Sequence, residues 1–385
     1  MPGETSGRSL RILHVVPQLG FGGAENHILD LATSQVERGN QAGVLGFREG
    51  GNETAAYRAL LHTLGVTTFA PTAAWARPRY SPGHFLWLAR RIREFQPDLV
   101  HTHLPAADVA VGLLNGRCWR RISLVGTLHG WEPKCDQRFN KRLLYLAYRR
   151  FDALLSVSHW VKDNAVSIGV REDAISIVHH GIDDVCPDPE ASTSIRSGLL
   201  QEFGLATPVL LGAVGRLDTG KGIDVLIRAL EFLPDNYCVV VVGADGGRGP
   251  ELEKLASTLG VEHRCRFVGF QRNRFEWMRA FDLLVLPSRW EGFGLVLLEA
   301  GSAGVPIVAS DIAPLNEIIR HGVDGLLVPV GDPLSLASAV EHLISDPDLG
   351  EQLSESFSER VTSEFSRQAM IAGVNRTYEE VVSSE

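Results

Sequence analysis

Strand-length apolar runs alternate with helix-like stretches along most of the chain, and they fall into two separate series. The first series predicts strands at residues 11–16, 41–46, 99–103, 124–128, 153–157 and 176–178. The second series predicts strands at residues 208–214, 238–242, 266–268, 283–286, 306–309 and 325–328. Strands separated by helices pair in parallel, and parallel sheets are covered by helices on both faces. The chain is therefore predicted to be an α/β protein with two doubly wound parallel-sheet domains.

The two series are separated by residues 184–207, which are rich in proline, serine and acidic residues. We therefore place a domain boundary near residue 185, with domains at 1–185 and 186–360. Residues 361–385 are predicted to form a C-terminal helix that packs back toward the first domain. Because doubly wound sheets bind ligands beyond the C-terminal ends of their strands, a site is expected in a cleft between the two domains.

The charge, the cysteines and the apolar runs exclude several classes of protein. The net charge of −9 argues against a general nucleic-acid-binding protein. The charge is unevenly distributed, because residues 1–150 carry 19 basic and 11 acidic residues and are therefore positive. The five cysteines form no CxxC pair, which indicates a reducing compartment. The apolar runs are shorter than the roughly 20 residues of a membrane span. With no signal-peptide pattern at the start, a cytoplasmic location is predicted.

The stretch "VPQLGFGGAENHILDLA" follows the first predicted strand and leads into a helix. Gly20, Gly22 and Gly23 would let the backbone approach a ligand, and the N–H groups at a helix start attract anions. The match to a dinucleotide-binding fingerprint is poor, because Glu25 stands where the third glycine would be. An anion site and an ordinary tight turn both remain open here.

The stretch "VGRLDTGKGIDVLIRAL" follows the first strand of the second series. It places Arg216 and Lys221 in one glycine-containing loop at the start of a helix. Arginine binds phosphate in a forked manner and lysine binds it as a point charge, so this loop suits a diphosphate. Two solvated surface charges are the alternative.

The stretch "SRWEGFGLVLLEA" brackets an apolar helix with Glu291 and Glu299. Burying a carboxylate costs several kcal/mol unless it is paired, so two acids beside a core-like helix indicate a ligand with hydroxyl groups. The helix is predicted to begin near Phe293 or Gly294, and Glu299 would lean back toward the preceding loop because helical side chains tilt toward the N-terminus. A helix-capping Glu291 and a surface Glu299 are the alternative.

Three motifs together resemble those of the retaining glycosyltransferases of family 4. They are "GGAE" (22–25), "GRLDTGKG" (215–222) and "EGFGLVLLEAGSAGVPIVAS" (291–310). The motifs occur in the family's order, and the resemblance spans nearly the whole chain. It implies the GT-B fold, in which two Rossmann-like domains face a central cleft. It also implies that the first domain is the acceptor side and that the second binds a nucleotide sugar.

The resemblance also implies roles for single residues. Arg216 and Lys221 would bind the donor diphosphate, Glu291 the donor sugar hydroxyls, and Glu299 the nucleotide ribose. The residues implied in donor binding are Gly22, Gly23, Arg216, Lys221, Glu291, Gly292, Phe293, Gly294, Leu295 and Glu299. His129, beside the reactive face of the sugar, would join Glu291, Arg216 and Lys221 as the catalytic residues.

Histidines follow two of the predicted strands. His101, His103 and His129 are expected at C-terminal strand ends. His103 and Glu25 are the secondary, acceptor-side candidates. A zinc site formed by these three histidines is a weak alternative, because no carboxylate or cysteine joins them at ligand spacing, and no metal site is predicted. In "VHHGID", His180 stands where the family commonly has asparagine.

Basic residues are concentrated at 116–121 and 134–151, and Trp75, Trp87 and Trp119 lie in the same domain. The second stretch predicts an amphipathic helix with basic and leucine residues interleaved, which suits peripheral contact with an anionic membrane. A solvated helix of a basic domain is the alternative.

These features together predict a retaining glycosyltransferase that moves a sugar from a nucleotide sugar to a hydroxyl of a glycan, lipid-linked or small-molecule acceptor. No motif carboxylate is placed as a nucleophile, so same-face transfer without a metal is expected, with the diphosphate taking the acceptor proton. No cofactor is expected, and a UDP-sugar is favoured over a GDP-sugar. The alternatives are a nucleotide-sugar epimerase of the same architecture, a nicotinamide-dependent oxidoreductase and a non-catalytic sugar-nucleotide sensor.

Overall fold

The structure of the protein is a computed structural model. It describes residues 9–48, 51–71, 82–115, 122–131, 135, 137–183, 185, 187–205 and 207–383. The chain forms two compact units, Met1–His180 with Arg367–Glu385 and Gly181–Ser366, called here the N-terminal and the C-terminal unit. The N-terminal unit ends its first segment at residue 180, where the sequence predicts a boundary near residue 185. The C-terminal unit ends at residue 366, where the sequence predicts its end at residue 360. The basic stretch 116–121, Lys134, Trp75, Trp119, Cys118 and Cys186 lie outside the described residues.

The described part of the N-terminal unit contains a seven-stranded parallel sheet. Its strands are β1 (Arg11–Gln18), β2 (Gln41–Arg48), β3 (Thr67–Phe69), β4 (Leu99–His103), β5 (Ser123–Leu128), β6 (Ala153–Ser156) and β7 (Ile175–Ile177). Its helices are α1 (Gly23–Glu37), α2 (Gly51–Thr63), α3 (Pro82–Phe95), α4 (Pro105–Leu114), α5 (Arg138–Tyr148), α6 (His159–Ser167) and, from the end of the chain, α15 (Arg367–Ser383). The strand order is β3-β2-β1-β4-β5-β6-β7.

The described part of the C-terminal unit contains a six-stranded parallel sheet. Its strands are β8 (Val209–Val214), β9 (Tyr237–Val242), β10 (Cys265–Gly269), β11 (Leu283–Leu286), β12 (Ile307–Ser310) and β13 (Leu326–Val328). Its helices are α7 (Pro189–Phe203), α8 (Ile223–Ala229), α9 (Gly249–Thr258), α10 (Arg274–Arg279), α11 (Leu295–Ser302), α12 (Leu315–Ile318), α13 (Pro333–Ser345) and α14 (Pro347–Glu364). The strand order is β10-β9-β8-β11-β12-β13.

Both sheets confirm the predicted doubly wound parallel architecture. In each unit the first strand lies beside the fourth, β1 beside β4 and β8 beside β11. The order of strands therefore reverses at this pair, and ligands of such sheets bind outside the C-terminal ends of the strands at that point. The loops after β1, β4, β8 and β11 are the places where the fold favours a site.

Each unit has its own apolar core, formed by strand residues that point into covering helices. In the C-terminal unit, Val239 and Val241 of β9 are fully buried in one cluster with Leu226 of α8. In the N-terminal unit, Ile12 of β1 is buried in a cluster that also contains Tyr378 of α15. The last helix of the chain thus covers one face of the first sheet.

Two elements differ from the expectation from sequence. The predicted strands are all present, but β3 is an additional strand of three residues, two of them threonine. Residues 184–207, for which no regular element is predicted, contain α7. Asp188 caps this helix by accepting from the Glu190 N–H, Pro189 starts it, and Gly204 ends it in the left-handed region.

Candidate functional site

Loops after β8 and β11 in the C-terminal unit are tied to each other. The Arg289 N–H donates to the Gly220 carbonyl over 2.7 Å, and the Arg289 guanidinium donates to both carboxylate oxygens of Asp224. Gly222 has a φ of +64°, and a Cβ there would lie 2.0 Å from the Pro287 carbonyl oxygen. Only glycine allows this close approach, so the sequence of the first loop permits its packing against the second.

Lys221 and Glu291 meet where these two loops touch. Lys221 Nζ lies 2.6 Å from Glu291 Oε1, and the Ser288 hydroxyl donates to the same oxygen over 2.7 Å. The two side chains are 21% and 10% exposed. Within the described part of the chain, no hydrogen bond reaches Glu291 Oε2. The structure therefore fixes this carboxylate through one oxygen, and the other oxygen has no hydrogen bond from the described residues.

Glu299 has the same arrangement with a different cation. It lies in α11 and is 6% exposed, and Arg274 of α10 donates to its Oε1 over 2.7 Å. Burial lowers the pKa of the Arg274 guanidinium, but the hydrogen bond and the charge of Glu299 outweigh that effect and raise it. Among the described residues no hydrogen bond reaches Glu299 Oε2. Arg274 is a site residue that the sequence analysis did not identify.

Arg216 is placed differently from Lys221, although both belong to the loop after β8. Its side chain is 72% exposed, and its Nε lies 3.3 Å from Asp218 Oδ2. Asp218 also accepts from the Gly220 N–H and so holds the turn of the same loop. The two cations of this loop therefore pair with different acids. Lys221 is partly buried and contacts Glu291, whereas Arg216 contacts Asp218 and is mostly exposed to solvent.

The start of α11 offers backbone donors beside these acids. Gly294 caps the helix with a φ of +101° and has no side chain to accept from the first-turn N–H groups. Phe293 is buried, and Leu295 opens the helix. The unsatisfied amides of a helix start favour an anion. The observed start at Leu295 lies one or two residues after the predicted one.

The glycine-rich loop of the N-terminal unit also ends in an uncapped helix start. Gly22 caps α1 in an extended conformation without a side-chain hydrogen bond, and Gly23 is the first helical residue. Glu25 lies in the first turn, and its carbonyl accepts from the Tyr57 hydroxyl. Phe21, just before the helix, is 43% exposed and packs edge-on against Tyr57.

A row of histidines crosses the sheet of the same unit, and the register of the strands explains it. His14 of β1 pairs with His101 of β4, and His103 is two residues further along β4. Side chains two residues apart lie on the same face of a strand. Thr127 of β5 pairs with His103, which brings His129 to the same edge.

Hydrogen bonds join these imidazoles in a line. Gln35 Oε1 lies 3.0 Å from His14 Nε2, and His14 Nδ1 lies 2.9 Å from His103 Nε2. His103 Nδ1 lies 3.0 Å from His129 Nε2, and His129 Nδ1 lies 3.3 Å from His180 Nε2. Because Gln35 Oε1 can only accept, His14 donates to it through Nε2, and each later histidine donates through its Nε2 to the one before. The two expected site histidines, His103 and His129, are therefore direct partners.

Burial holds the row in its neutral form. It lowers the pKa of His14 to about 4 and that of His180 to about 3. Burial, together with repulsion from neighbouring histidines, holds the pKa values of His103 and His129 well below the usual range. Each ring then carries one N–H group and one lone pair at neutral pH, which the line of hydrogen bonds requires.

His101 differs from the expectation that it lies at an exposed strand end. It is fully buried, and its Nδ1 lies 2.6 Å from the Tyr378 hydroxyl and its Nε2 2.7 Å from the Thr127 hydroxyl. Both ring nitrogens are thus held inside the unit. His101 contributes to packing between β4, β5 and α15 rather than to a ligand surface.

Two domain models match the chain in sequence. Residues 21–185 match the model described as Glycosyltransferase Family 4, and residues 201–360 match the model described as Glycosyl transferases group 1. The two matches follow each other along the chain and together cover most of it. The chain belongs to the group 1, family 4 type of glycosyltransferases. The expected family membership is confirmed.

Single relatives support the family assignment. The chain is 33% identical over 271 residues to D-inositol 3-phosphate glycosyltransferase of Xylanimonas cellulosilytica, a match that covers 65% of this chain and 64% of that protein. It thus spans slightly less than two thirds of that relative. It is 27% identical over 405 residues to glycogen synthase of Mycobacterium tuberculosis, with 96% and 94% of the two chains covered.

A solved structure supports the fold. The Anabaena protein Alr3699/HepE, in complex with UDP and glucose, superposes with a TM-score of 0.84 and is 25% identical, with 96% of this chain and all of that chain covered. The same protein has been solved with UDP-glucose. The predicted GT-B fold class is confirmed by this similarity and by the two parallel α/β sheets.

Proposed function

We propose that the protein is a retaining glycosyltransferase that moves a sugar from a nucleotide-sugar donor to a hydroxyl of an acceptor. The observation that carries the proposal is the pair of buried or half-buried acids, Glu291 and Glu299, each fixed by a cation through Oε1. Each keeps Oε2 for a ligand hydroxyl, and the helix start between them suits the diphosphate. The family assignment and the complexes of the Anabaena protein with UDP and UDP-glucose support a UDP-sugar as the donor.

In this proposal each residue has a separate task. Glu291 accepts hydroxyls of the donor sugar, Glu299 accepts from the ribose, and Lys221 moves its charge between Glu291 and the diphosphate. Arg216, which is exposed, approaches the same phosphates from solvent. Neutral His129 binds the sugar beside its reactive carbon by exchanging its 3.3 Å bond to His180 for the sugar, while His103 holds the other ring nitrogen.

Transfer then takes place on one face of the sugar. The bond from the anomeric carbon to the diphosphate oxygen breaks, the acceptor oxygen bonds to the same face, and its proton passes to the leaving diphosphate. Lys221, Arg216 and the α11 amides stabilise the charge that develops on the diphosphate. These steps require no cofactor and no metal ion.

The test is turnover of a panel of nucleotide sugars by purified protein. Lys221→Ala should lower turnover at least about tenfold, the effect of losing one charge-assisted contact of about 1.5–3 kcal/mol. Lys254→Ala, an exposed lysine of the same unit, is the matched control and should keep the wild-type rate. Wild-type turnover by Lys221→Ala would contradict the phosphate role.

The configuration of the product tests the remaining part of the proposal. NMR of the transferred sugar should show the anomeric configuration of the donor. An inverted product would contradict the same-face mechanism. Incubation without acceptor should release nucleoside diphosphate slowly, and an epimerised donor in that mixture would favour the epimerase alternative instead.

We also propose that the protein is cytoplasmic and that α5 contacts an anionic membrane, where a lipid-linked or membrane-held glycan acceptor would lie. Arg142 of this helix and Arg149, its C-cap residue, are exposed, and Leu146 between them is 41% exposed. Beside it lies a cavity of about 380 Å³, lined by Leu113, Leu143, Leu146, Arg149 and Arg150. None of the helices in the described ranges is long and apolar enough to cross a bilayer.

Vesicle co-sedimentation tests the membrane proposal. The protein should bind anionic vesicles at low salt, dissociate near 0.5 M salt, where charges are screened within about 4 Å, and ignore neutral vesicles. Arg142→Glu with Arg149→Glu should abolish binding. The same reversal at the exposed Arg228 and Lys254 of the C-terminal unit is the control. Equal binding by both double variants would contradict a role for α5.

A further inference from the structure

The histidine row of the N-terminal unit brings metal-ligating atoms together in two overlapping groups. Nitrogens of His14, His101 and His103 lie within 4.8 Å of one another, and so do nitrogens of His27, His103 and His129. All these side chains are buried or nearly so. Neutral imidazole is a good ligand for Zn²⁺ and for neighbouring transition metals.

The hydrogen bonds distinguish the two groups. In the first, both nitrogens of His101 are held by hydroxyl groups and both nitrogens of His14 by Gln35 and His103. In the second, His27 Nε2 is buried and has no hydrogen-bond partner within the described ranges. An unsatisfied buried ring nitrogen costs about 1–3 kcal/mol, so it calls for a partner that a metal ion would supply.

We propose that His27, His103 and His129 form a binding site for a divalent transition metal ion such as Zn²⁺, and that the bound ion withholds His129 from the donor sugar. The site lies in the N-terminal unit alone. Binding of the ion follows from these three side chains, whereas the inhibition rests on the function proposed above for His129.

The distances suit such a site after a small movement. Two nitrogens bound to zinc at about 2.0–2.1 Å lie about 3.3 Å apart in tetrahedral geometry. His103 Nδ1 and His129 Nε2 are already 3.0 Å apart. The nitrogen of His27 has to close from at most 4.8 Å, while its Nδ1 lies 3.1 Å from Met370 Sδ. His129 is 9% exposed and His27 3%, so His129 is the more accessible of these two ligands.

The surrounding hydrogen bonds complete the metal environment. When His103 binds the ion through Nδ1, its Nε2–H donates to His14 Nδ1, and His14 Nε2–H donates to Gln35. His129 binds through Nε2 after a change of tautomer, so that its Nδ1–H donates to His180 Nε2, which accepts in the metal-bound form and donates in the metal-free form. Such outer partners orient ligating histidines in known metal sites. Three imidazoles leave one position of a tetrahedral ion open for water, as in zinc sites with three histidines.

Metal titration of the whole purified protein tests the site. After treatment with a chelator and dialysis, calorimetry with Zn²⁺ should show one equivalent bound. Co²⁺ should give the intense visible bands of a four-coordinate ion, and this measurement on the wild-type protein needs no variant. Only the weak bands of six-coordinate Co²⁺, or no Zn²⁺ binding, would overturn the proposal.

Three substitutions locate the ion. His27→Gln should weaken Zn²⁺ binding at least about 100-fold, since even outer partners contribute about 10–100-fold to affinity. His101→Gln removes a member of the first group only, and His263→Gln removes an exposed histidine of the other unit. Both controls should retain binding. Loss of binding in His101→Gln with retention in His27→Gln would assign the ion to the first group and refute the proposed ligands.

An activity measurement separates this inference from the proposed function. Each protein's transfer rate with saturating Zn²⁺ is divided by its own rate without metal. The ratio should fall at least about tenfold for the wild type and stay near one for His27→Gln. If Zn²⁺ binds at His129 and the rate of sugar transfer does not fall, the proposed inhibition is wrong. A protein that binds Zn²⁺ but transfers no sugar would contradict the proposed function and leave the site established.

Discussion

Glu299 offers the sharpest test of how the donor is held. Its carboxylate is nearly buried, Arg274 occupies Oε1 at 2.7 Å, and Oε2 has no hydrogen bond from the described residues. If Oε2 accepts from a ribose hydroxyl, Glu299→Ala should weaken binding of a plain nucleoside diphosphate. The loss should be about 1.5–3 kcal/mol, the range for a hydrogen bond to a charged group, or about 10- to 150-fold in dissociation constant.

A cycle of ligands and variants isolates the contact. Calorimetry would compare UDP with its 2′-deoxy and 3′-deoxy analogues on the wild type and on Glu299→Ala. The wild type should lose affinity for at least one analogue, and the variant should bind that analogue and UDP equally. The difference between the two losses is the coupling energy between Glu299 and the hydroxyl.

Glu291→Ala provides the matched control, because Glu291 is also a half-buried acid paired through Oε1. It should bind UDP nearly as well as the wild type and should lose sugar transfer. Equal losses of UDP affinity in both variants would refute the division of tasks. A penalty for the deoxy analogue that persists in Glu299→Ala would refute the ribose contact itself.

Three further changes test the packing of the two units. Burial raises the pKa of Asp108 from 3.8 to about 7, so its own contribution to the free energy of unfolding should fall by about 4 kcal/mol as pH rises from about 4 to 7, opposite in sign to the contribution of the buried histidines. The difference in free energy of unfolding between the wild type and Asp108→Asn should therefore show this slope, because the histidine contribution is common to both. Gly222→Ala should unfold at a lower denaturant concentration than Gly260→Ala, because both have positive φ but only at Gly222 would a Cβ meet a backbone oxygen at 2.0 Å. Arg264→Lys should lower the thermal midpoint, since the buried guanidinium donates to four backbone carbonyls and an ammonium group has only three donors; an unchanged midpoint would contradict that count.

The sequence predicts the strands of this fold well because many of them, such as β9 and β11, are continuous apolar runs. β3 is missed because Thr67 and Thr68 leave it too short and too polar for that signal. α7 is missed because its proline- and serine-rich composition resembles a linker. The cap by Asp188, the first-turn proline and the final Gly204 were nevertheless present as a local signal for a helix.

Partners in the sites are less predictable than the residues that carry the chemistry. The loops with Lys221, Glu291 and Glu299 have local motifs, and their glycines mark them. Arg274 has no motif, and it reaches Glu299 only because α10 packs against α11. For His27 the sequence gives no signal, since its place beside His103 and His129 depends on how α1 lies on the sheet.

The strand order of each sheet explains why the acids and cations of the C-terminal unit, and the histidines of the N-terminal unit, come together. Lys221 and Glu291 are 70 residues apart in sequence, and they bond because β8 lies beside β11. His14 and His103 are 89 residues apart, and they bond because β1 lies beside β4. In each sheet this is the pair of strands at which the order reverses, so the helices that follow them cross to opposite faces and leave the strand ends uncovered. In this chain each unit gathers charged or imidazole groups beside that pair of strands: Lys221 and Glu291 are partly exposed there, whereas His14 and His103 are fully buried.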